Sequence, residues 1–327
     1  MSEIGVQREG SISGEARSSD RPTGRRRSDR IVGVGHASQL VIDQAMAAAR
    51  VDLPLLVTGP AGSGKEHISR AVHTWSKRAA NPFVVVSCGA VNATLVGREV
   101  FGCAAGVYSL LQESHAGALT RADAGTVLLK EIGKLPDGAR SDLVSAIKQG
   151  AFQPEGGLPS TALRARIIVT ALEKPVRSPF GDLPHHTIEL RPLSERKEDI
   201  LPLAAHWLRL AADEAGVKPV GFTSDAREAL LTEPWPGNVR ELAERIRQAV
   251  QLAGDGSISA EALLLAGDLE NVPSFKEAKR AFETRYVVGL LRRCSGNISR
   301  AARLAKKDRK DFYDVIRRTG VDPTDFR

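Results

Sequence analysis

Residues 53–66 read Leu53-Pro54-Leu55-Leu56-Val57-Thr58-Gly59-Pro60-Ala61-Gly62-Ser63-Gly64-Lys65-Glu66. This is a short apolar strand that runs into a glycine-rich loop and then into a helical stretch. The loop matches G-x-x-x-x-G-K in full. Gly59, Gly62 and Gly64 let the backbone turn tightly, so that its amides, that of Ser63 among them, can aim at phosphate oxygens. Lys65 adds a point charge and the helix that follows adds its dipole. Glu66 stands where many such loops place a Ser or Thr hydroxyl for magnesium. The implied ligand is ATP or ADP, and a glycine turn without a ligand is the rival reading.

Outward from the loop, strand and helix signals alternate. Apolar runs at 53–58, 83–87, 126–129 and 166–170 are separated by helical stretches, the first over 66–77. The alternation predicts an α/β fold, a P-loop parallel sheet covered by helices. After Leu193 the strand signals stop, and 194–264 reads as amphipathic helices broken at Pro234-Trp235-Pro236-Gly237. Gly254, Gly256 and Pro273 mark the exit to a wholly helical last segment.

A second stretch bears on chemistry. Gly125 to Ile132 reads Gly-Thr-Val-Leu-Leu-Lys-Glu-Ile, a strand ending in Lys130-Glu131 where a nucleotide-hydrolysing enzyme is expected to carry Asp-Glu. Nucleotide binding and hydrolysis therefore have to be argued separately.

Composition bounds the rest. The 327 residues are 42% hydrophobic and 26% charged, ordinary for a globular protein. Residues 1–30 lack the apolar core of a signal peptide, and no apolar run approaches the roughly 20 residues of a membrane span. A cytoplasmic location and no membrane partner are expected. Cys88, Cys103 and Cys294 are odd in number and lack Cys-x-x-Cys spacing, and His185-His186 beside Pro184 reads as loop, so no metal-ligating set is expected. The net charge of +7 is uneven: residues 274–327 hold 15 Lys and Arg against 7 Asp and Glu. A basic tail on a near-neutral body points to a polyanion, double-stranded DNA above all, with a solvated basic face as the bland alternative.

Several further blocks fall in a telling order. They are Asn81-Pro82-Phe83, Glu99-Val100-Phe101-Gly102, Ala122 to Thr126, Leu190 to Ile200, Trp235 to Leu242 and Gly296 to Ala302. With the phosphate loop they resemble the sigma-54-dependent bacterial enhancer-binding proteins over about residues 31–320. That resemblance implies an AAA+ core joined to a Fis-type helix-turn-helix. It divides the chain into a disordered basic arm at 1–30, an AAA+ α/β nucleotide-binding subdomain at 31–193, an AAA+ helical lid at 194–270 and an all-α helix-turn-helix domain at 274–327. It also makes Glu66 the family's usual residue, Arg240 the lid arginine that reaches nucleotide phosphates, and Glu131 the water-polarising carboxylate. With about 30 residues ahead of the core, no receiver domain is expected.

Departures from the family pattern cluster on the working parts. Lys130 replaces the aspartate that organises magnesium, so a metal would need a substitute such as Asp123 or Glu99, unless Lys130 pairs with a phosphate or with Glu131. Leu172 stands where the resemblance implies a sensor asparagine. The segment Asp182 to His186 has no arginine to reach a neighbour's phosphate, a contribution that can be worth 10³ to 10⁵ in rate. In the loop that would touch sigma-54, Gly106 to Leu111 keeps Tyr108 and Ser109 but has Leu110 for a glycine.

In the last segment, helices are expected at 275–293, 299–305 and 309–319, with a turn at Lys306-Lys307-Asp308. By resemblance the third helix enters the major groove, Asp308, Arg309, Lys310 and Asp311 facing bases, with Tyr313 beside them. Arg300, Arg303, Lys306, Arg317 and Arg318 face phosphates. A helical dimerisation hairpin is the rival. The favoured reading is a sequence-specific DNA-binding regulator with a nucleotide-binding, hydrolysis-impaired core, homo- or hetero-oligomeric, with RNA polymerase and a sigma factor as further partners. An active ATP-hydrolysing sigma-54 activator, and an interaction protein that modulates an active paralogue, are the alternatives.

Overall fold

The computed structural model describes residues 31–107, 113–266 and 275–326. The arm expected over 1–30, the loop residues Tyr108 to Leu111 and the boundary at Pro273 lie outside the described residues. The chain forms two compact units, one closing at Ile258 and the other opening at Ser259.

The first unit begins with α1 (His36–Arg50), β1 (Leu55–Thr58), α2 (Lys65–Trp75), β2 (Phe83–Ser87), α3 (Ala93–Phe101) and α4 (Ala118–Ala122). It continues through β3 (Thr126–Lys130), α5 (Asp137–Gln149), β4 (Arg166–Ala171) and β5 (His186–Glu189), then α6 (Ile200–Ala215), α7 (Ser224–Thr232) and α8 (Asn238–Ala253). The five strands form one parallel sheet in the order β2-β3-β4-β1-β5. Three two-residue ribbons stand apart from it.

The sheet is buried on both faces, which explains why its central strands read as continuous apolar runs. Alternate residues point opposite ways. Leu55, Val57, Leu128 and Ile168 pack with Ala45, Ala48, Ile68 and Val72 of α1 and α2. Leu56, Val127, Leu129, Ile167 and Val169 join Val96, Phe101, Leu143 and Phe180 on the other face. Arginines hold the strand entrances: Arg166 donates to the carbonyl oxygens of Leu53 and Ala48 at 3.0 and 2.8 Å. Arg78 grips both oxygens of Asp52 and the carbonyls of Ala124, Gly125 and Arg164.

One difference from the sequence reading concerns the segment before Leu190. His186 is not a loop residue but the first residue of β5, paired with Leu55 of β1. The edge strand was illegible because only Ile188 of its four residues is buried. His185 keeps its Nδ1 2.8 Å from the Leu183 carbonyl oxygen, with its ring tilted against Phe180.

The second unit holds α9 (Ala260–Leu265), α10 (Phe275–Arg293), α11 (Ile298–Leu304) and α12 (Arg309–Thr319), then a 3₁₀ turn at Pro323–Phe326. Val287, Leu291 and Cys294 pack with Ala301 and Ala302 of α11 and Phe312 and Ile316 of α12. Asn297 caps α11 by accepting the Arg300 amide at 3.1 Å. Among the described residues no helix is long and apolar enough to cross a membrane.

Candidate functional site

The glycine-rich loop connects the tip of β1 to α2 and owes its path to its glycines. Gly59, Gly62 and Gly64 all take positive φ, at +142°, +72° and +104°. Crowding adds a second constraint. A Cβ at position 62 would lie 2.1 Å from the Gly237 carbonyl oxygen, and one at 59 would lie 2.6 Å from that of Leu190. Lys65 folds back on its own loop, its Nζ donating to the Gly59 and Pro60 carbonyl oxygens at 2.6 and 2.8 Å. Burial, then the nearby Arg240 and Lys130, pull the Lys65 ammonium below its ordinary pKa, while Glu131 opposes them. Ser63 Oγ is buried with no partner in the protein, a polar atom free for a ligand.

Beside the loop lies a cavity of about 570 Å³, within the range of small-ligand sites. Its lining combines Gly62 to Glu66, Lys130, Glu131 and Arg240 with the apolar Val32, Val41, Leu203, Trp207 and Val239. The Trp207 Nε1 is buried without a partner. Arg240 is exposed along the cavity, and its backbone N–H donates to Gly62 at 3.3 Å.

At the tips of β3 and β4 the cavity wall changes character. Lys130 Nζ lies 2.9 Å from Glu66 Oε2, so its partner within the chain is Glu66 and not Glu131. Glu131 takes a left-handed φ of +57°, and its N–H donates to Thr170 Oγ1 at 3.2 Å. Leu172 is 53% exposed and lines the same cavity. The two carboxylates that could stand in for a missing aspartate are engaged elsewhere. Asp123 pairs with Arg164 at 3.4 Å, and Glu99 with Arg98 at 2.8 Å and His115 at 3.5 Å.

Magnesium does not fit this donor set. A cation at the β3 tip would face the Lys130 ammonium, and unit charges 4 Å apart interact by about 4 kcal/mol at an effective dielectric of 20, more for a divalent ion. Partial exposure of Lys130 reduces that figure. Among the described residues no group of three or more His, Cys, Asp or Glu converges on one point.

Sequence reasoning missed the struts that hold the loop. Asn238, buried and at φ +56°, donates through Nδ2 to the Ala61 carbonyl oxygen at 2.9 Å and accepts the Leu193 amide at 2.7 Å. Arg196 donates to the Ser63 carbonyl oxygen at 2.9 Å. Burial lowers the Arg196 pKa and Asp199 partly offsets it. The sequence carried one hint: Asn is among the few residues that tolerate left-handed backbone, and it directly follows Pro236-Gly237.

The second unit presents the residues expected to meet nucleic acid at its surface. Arg300 and Arg303 on α11, Lys306 in the turn, and Arg309, Lys310, Tyr313 and Arg317 on α12 are all exposed. Along α12 the exposed positions 309, 310, 313 and 317 follow one helical face, while Phe312 and Ile316 occupy another. Arg318 is exposed as well, and its guanidinium pairs with Glu283 of α10 at 2.8 Å. Lys306 adopts φ +50°, a conformation that favours glycine.

Residues 31–178 match the Sigma-54 interaction domain, and residues 194–274 match the AAA+ ATPase lid domain. The chain is 33% identical over 299 residues to the transcriptional regulatory protein GlrR of Escherichia coli K12, across 88% of this chain and 67% of GlrR. This chain belongs to the sigma-54-dependent transcriptional regulators. SfnR of Pseudomonas putida, a sigma54-dependent transcriptional activator, is 33% identical over 238 residues, 70% of this chain and 65% of SfnR. NtrX of Brucella abortus, solved in complex with ATP, superposes with a TM-score of 0.63 at 26% identity, over 89% of this chain and 69% of NtrX. This regulator thus spans about two thirds of each of these relatives and shares their AAA+ α/β fold.

Proposed function

We propose that this regulator binds double-stranded DNA through α11 and α12, and holds ATP or ADP in the cavity beside its glycine-rich loop without efficient hydrolysis. The ion pair between Lys130 and Glu66 at 2.9 Å carries the second half of that reading. It puts an ammonium at the tip of β3, where hydrolysis would need a carboxylate to organise magnesium, and it occupies the neighbouring carboxylate as well. Leu172 supplies no polar contact at the tip of β4, and the segment Asp182 to His186 supplies no arginine for a neighbouring subunit's site. Glu131 remains as a general base without the surrounding parts.

The NtrX structure was solved with ATP, which supports assigning nucleotide to the same cavity. Gly59, Gly62, Ser63, Gly64, Lys65 and the backbone N–H of Glu66 would cradle the phosphates, and Arg240 would reach them from α8. The exposed cations of the second unit support a Fis-type helix-turn-helix, and Arg300, Arg303, Lys306, Arg309, Lys310, Tyr313 and Arg317 are its proposed contacts. RNA polymerase with its sigma factor, and further copies of this chain or of a paralogue, are the proposed protein partners.

Two assays on the full chain test the reading together. Isothermal titration with ATP should show saturable binding, while steady-state phosphate release should fall at least about 10³-fold below that of an AAA+ protein with its arginine and metal carboxylate in place. Rapid turnover that disappears in Glu131→Gln would instead establish an active ATPase.

A further inference from the structure

The phosphate end of the cavity holds an unusual charge set. Lys65, Lys130 and Arg240 face it together with Glu66 and Glu131. Lys130 ends β3, and Glu66 sits in the first turn of α2 directly after Lys65. Their 2.9 Å contact therefore ties the strand tip to the start of the loop helix. Neither group is sealed in: the side chains are 30% and 44% exposed, so an incoming anion can reach the ammonium.

A divalent ion bound to a polyphosphate neutralises its oxygens and bridges them to carboxylates. An ammonium can do the neutralising half of that work, since it brings one charge and three N–H donors. It cannot share the space with the metal. Placing a metal on Glu66 would also strip Lys130 of its partner and leave two cations facing each other.

We propose that Lys130 takes the electrostatic place of the divalent cation, so that the site selects the metal-free polyphosphate of a nucleoside di- or triphosphate. Glu66 holds Lys130 in the empty site and yields it to a phosphate oxygen on binding. This rests on the nucleotide-binding reading above. Its signature is inverted metal dependence: magnesium competes with the protein for the nucleotide instead of assisting binding.

The test is isothermal titration of the full chain with ATP and with ADP, each in excess magnesium and in EDTA. Wild type should bind more tightly in EDTA than in excess magnesium. Folded Lys130→Met should lose roughly tenfold in EDTA, a difference well within the resolution of the method. Lys130→Arg should keep metal-free binding, and Lys130→Asp should bind only with magnesium. A wild-type affinity in EDTA that equals or falls below that in magnesium overturns the proposal while leaving nucleotide binding intact. Absence of binding in both buffers refutes the nucleotide reading and this inference with it. Unchanged metal-free affinity in Lys130→Met, with normal thermal unfolding, removes the role of the lysine. The wild-type comparison needs no variant, so the proposal stays falsifiable if a substitution prevents folding.

Discussion

The two walls of the cavity differ in how closely they are held to a purpose. On the loop wall every strut is present: three glycines at positive φ, a lysine over the loop, and Asn238 and Arg196 pinning the carbonyls of Ala61 and Ser63 from outside. On the strand-tip wall Glu131 stands beside Lys130, which is paired to Glu66, and the exposed Leu172. In the proposed function the first wall holds phosphates and the second would serve to break a bond. Their contrast separates two activities that usually travel together. A scaffold can stay fully braced while the groups that organise the metal are exchanged, because bracing depends on backbone geometry and catalysis on a few side chains.

The contrast breaks first at Lys65. Lys65→Ala should weaken ATP binding by roughly 100-fold, as expected for losing charged hydrogen bonds to phosphate worth about 1.5–3 kcal/mol. Titration calorimetry reads this directly, and a small change would mean the loop does not hold the phosphates.

Next comes the outside bracing. Asn238→Ala leaves the Leu193 amide and the Ala61 carbonyl oxygen without their partner, and should lower stability by about 2 kcal/mol in urea unfolding. Retained stability in that variant would show that the loop wall needs no strut there.

Lys306 tests the second unit against the first. At φ +50° it carries backbone strain, so Lys306→Gly should stabilise the turn by about 1 kcal/mol. The same change should reduce the salt slope of DNA binding by about 1, if Lys306 meets a phosphate as proposed. Thermal unfolding and anisotropy titrations over a salt series separate the two effects.

The smallest effect belongs to the Arg78–Asp52 pair. Hydrogen bonding to Arg78 holds the Asp52 carboxyl below its ordinary value of 3.8, against a smaller opposing effect of burial. A depressed folded-state pKa means that the stabilisation is complete above about pH 4 and is lost as pH falls through the folded value. Because Asp52 is largely exposed, Asp52→Asn should cost less than about 1 kcal/mol near neutral pH. The difference between variant and wild type should vanish in acid.

What the sequence made legible follows from the same physics. Strands β1, β3 and β4 announced themselves because both faces are buried, leaving no polar alternation to confuse the reading. The loop glycines were legible because their positive φ values exclude most other residues. β5 was not, since His186, Thr187 and Glu189 leave Ile188 alone as an apolar signal. The partner of Lys130 was also hidden: Glu66 lies on another element, and no local pattern links a strand tip to a helix start across the sheet. Asn238 and Arg196 act on backbone carbonyls of the loop, contacts that leave no trace in side-chain pairing. The pairing of Arg318 with Glu283 is a contact between helices that helical periodicity alone does not reveal.

The separation of holding from breaking is tested most directly by the fate of bound nucleotide. The full chain would be incubated with ATP in several-fold excess over magnesium, so that metal-free nucleotide is present, passed rapidly over a desalting column after many binding lifetimes, and its bound nucleotide identified by chromatography. Intact ATP in near-stoichiometric amount is the expected result. Bound ADP, with a matching amount of phosphate in solution, would contradict it.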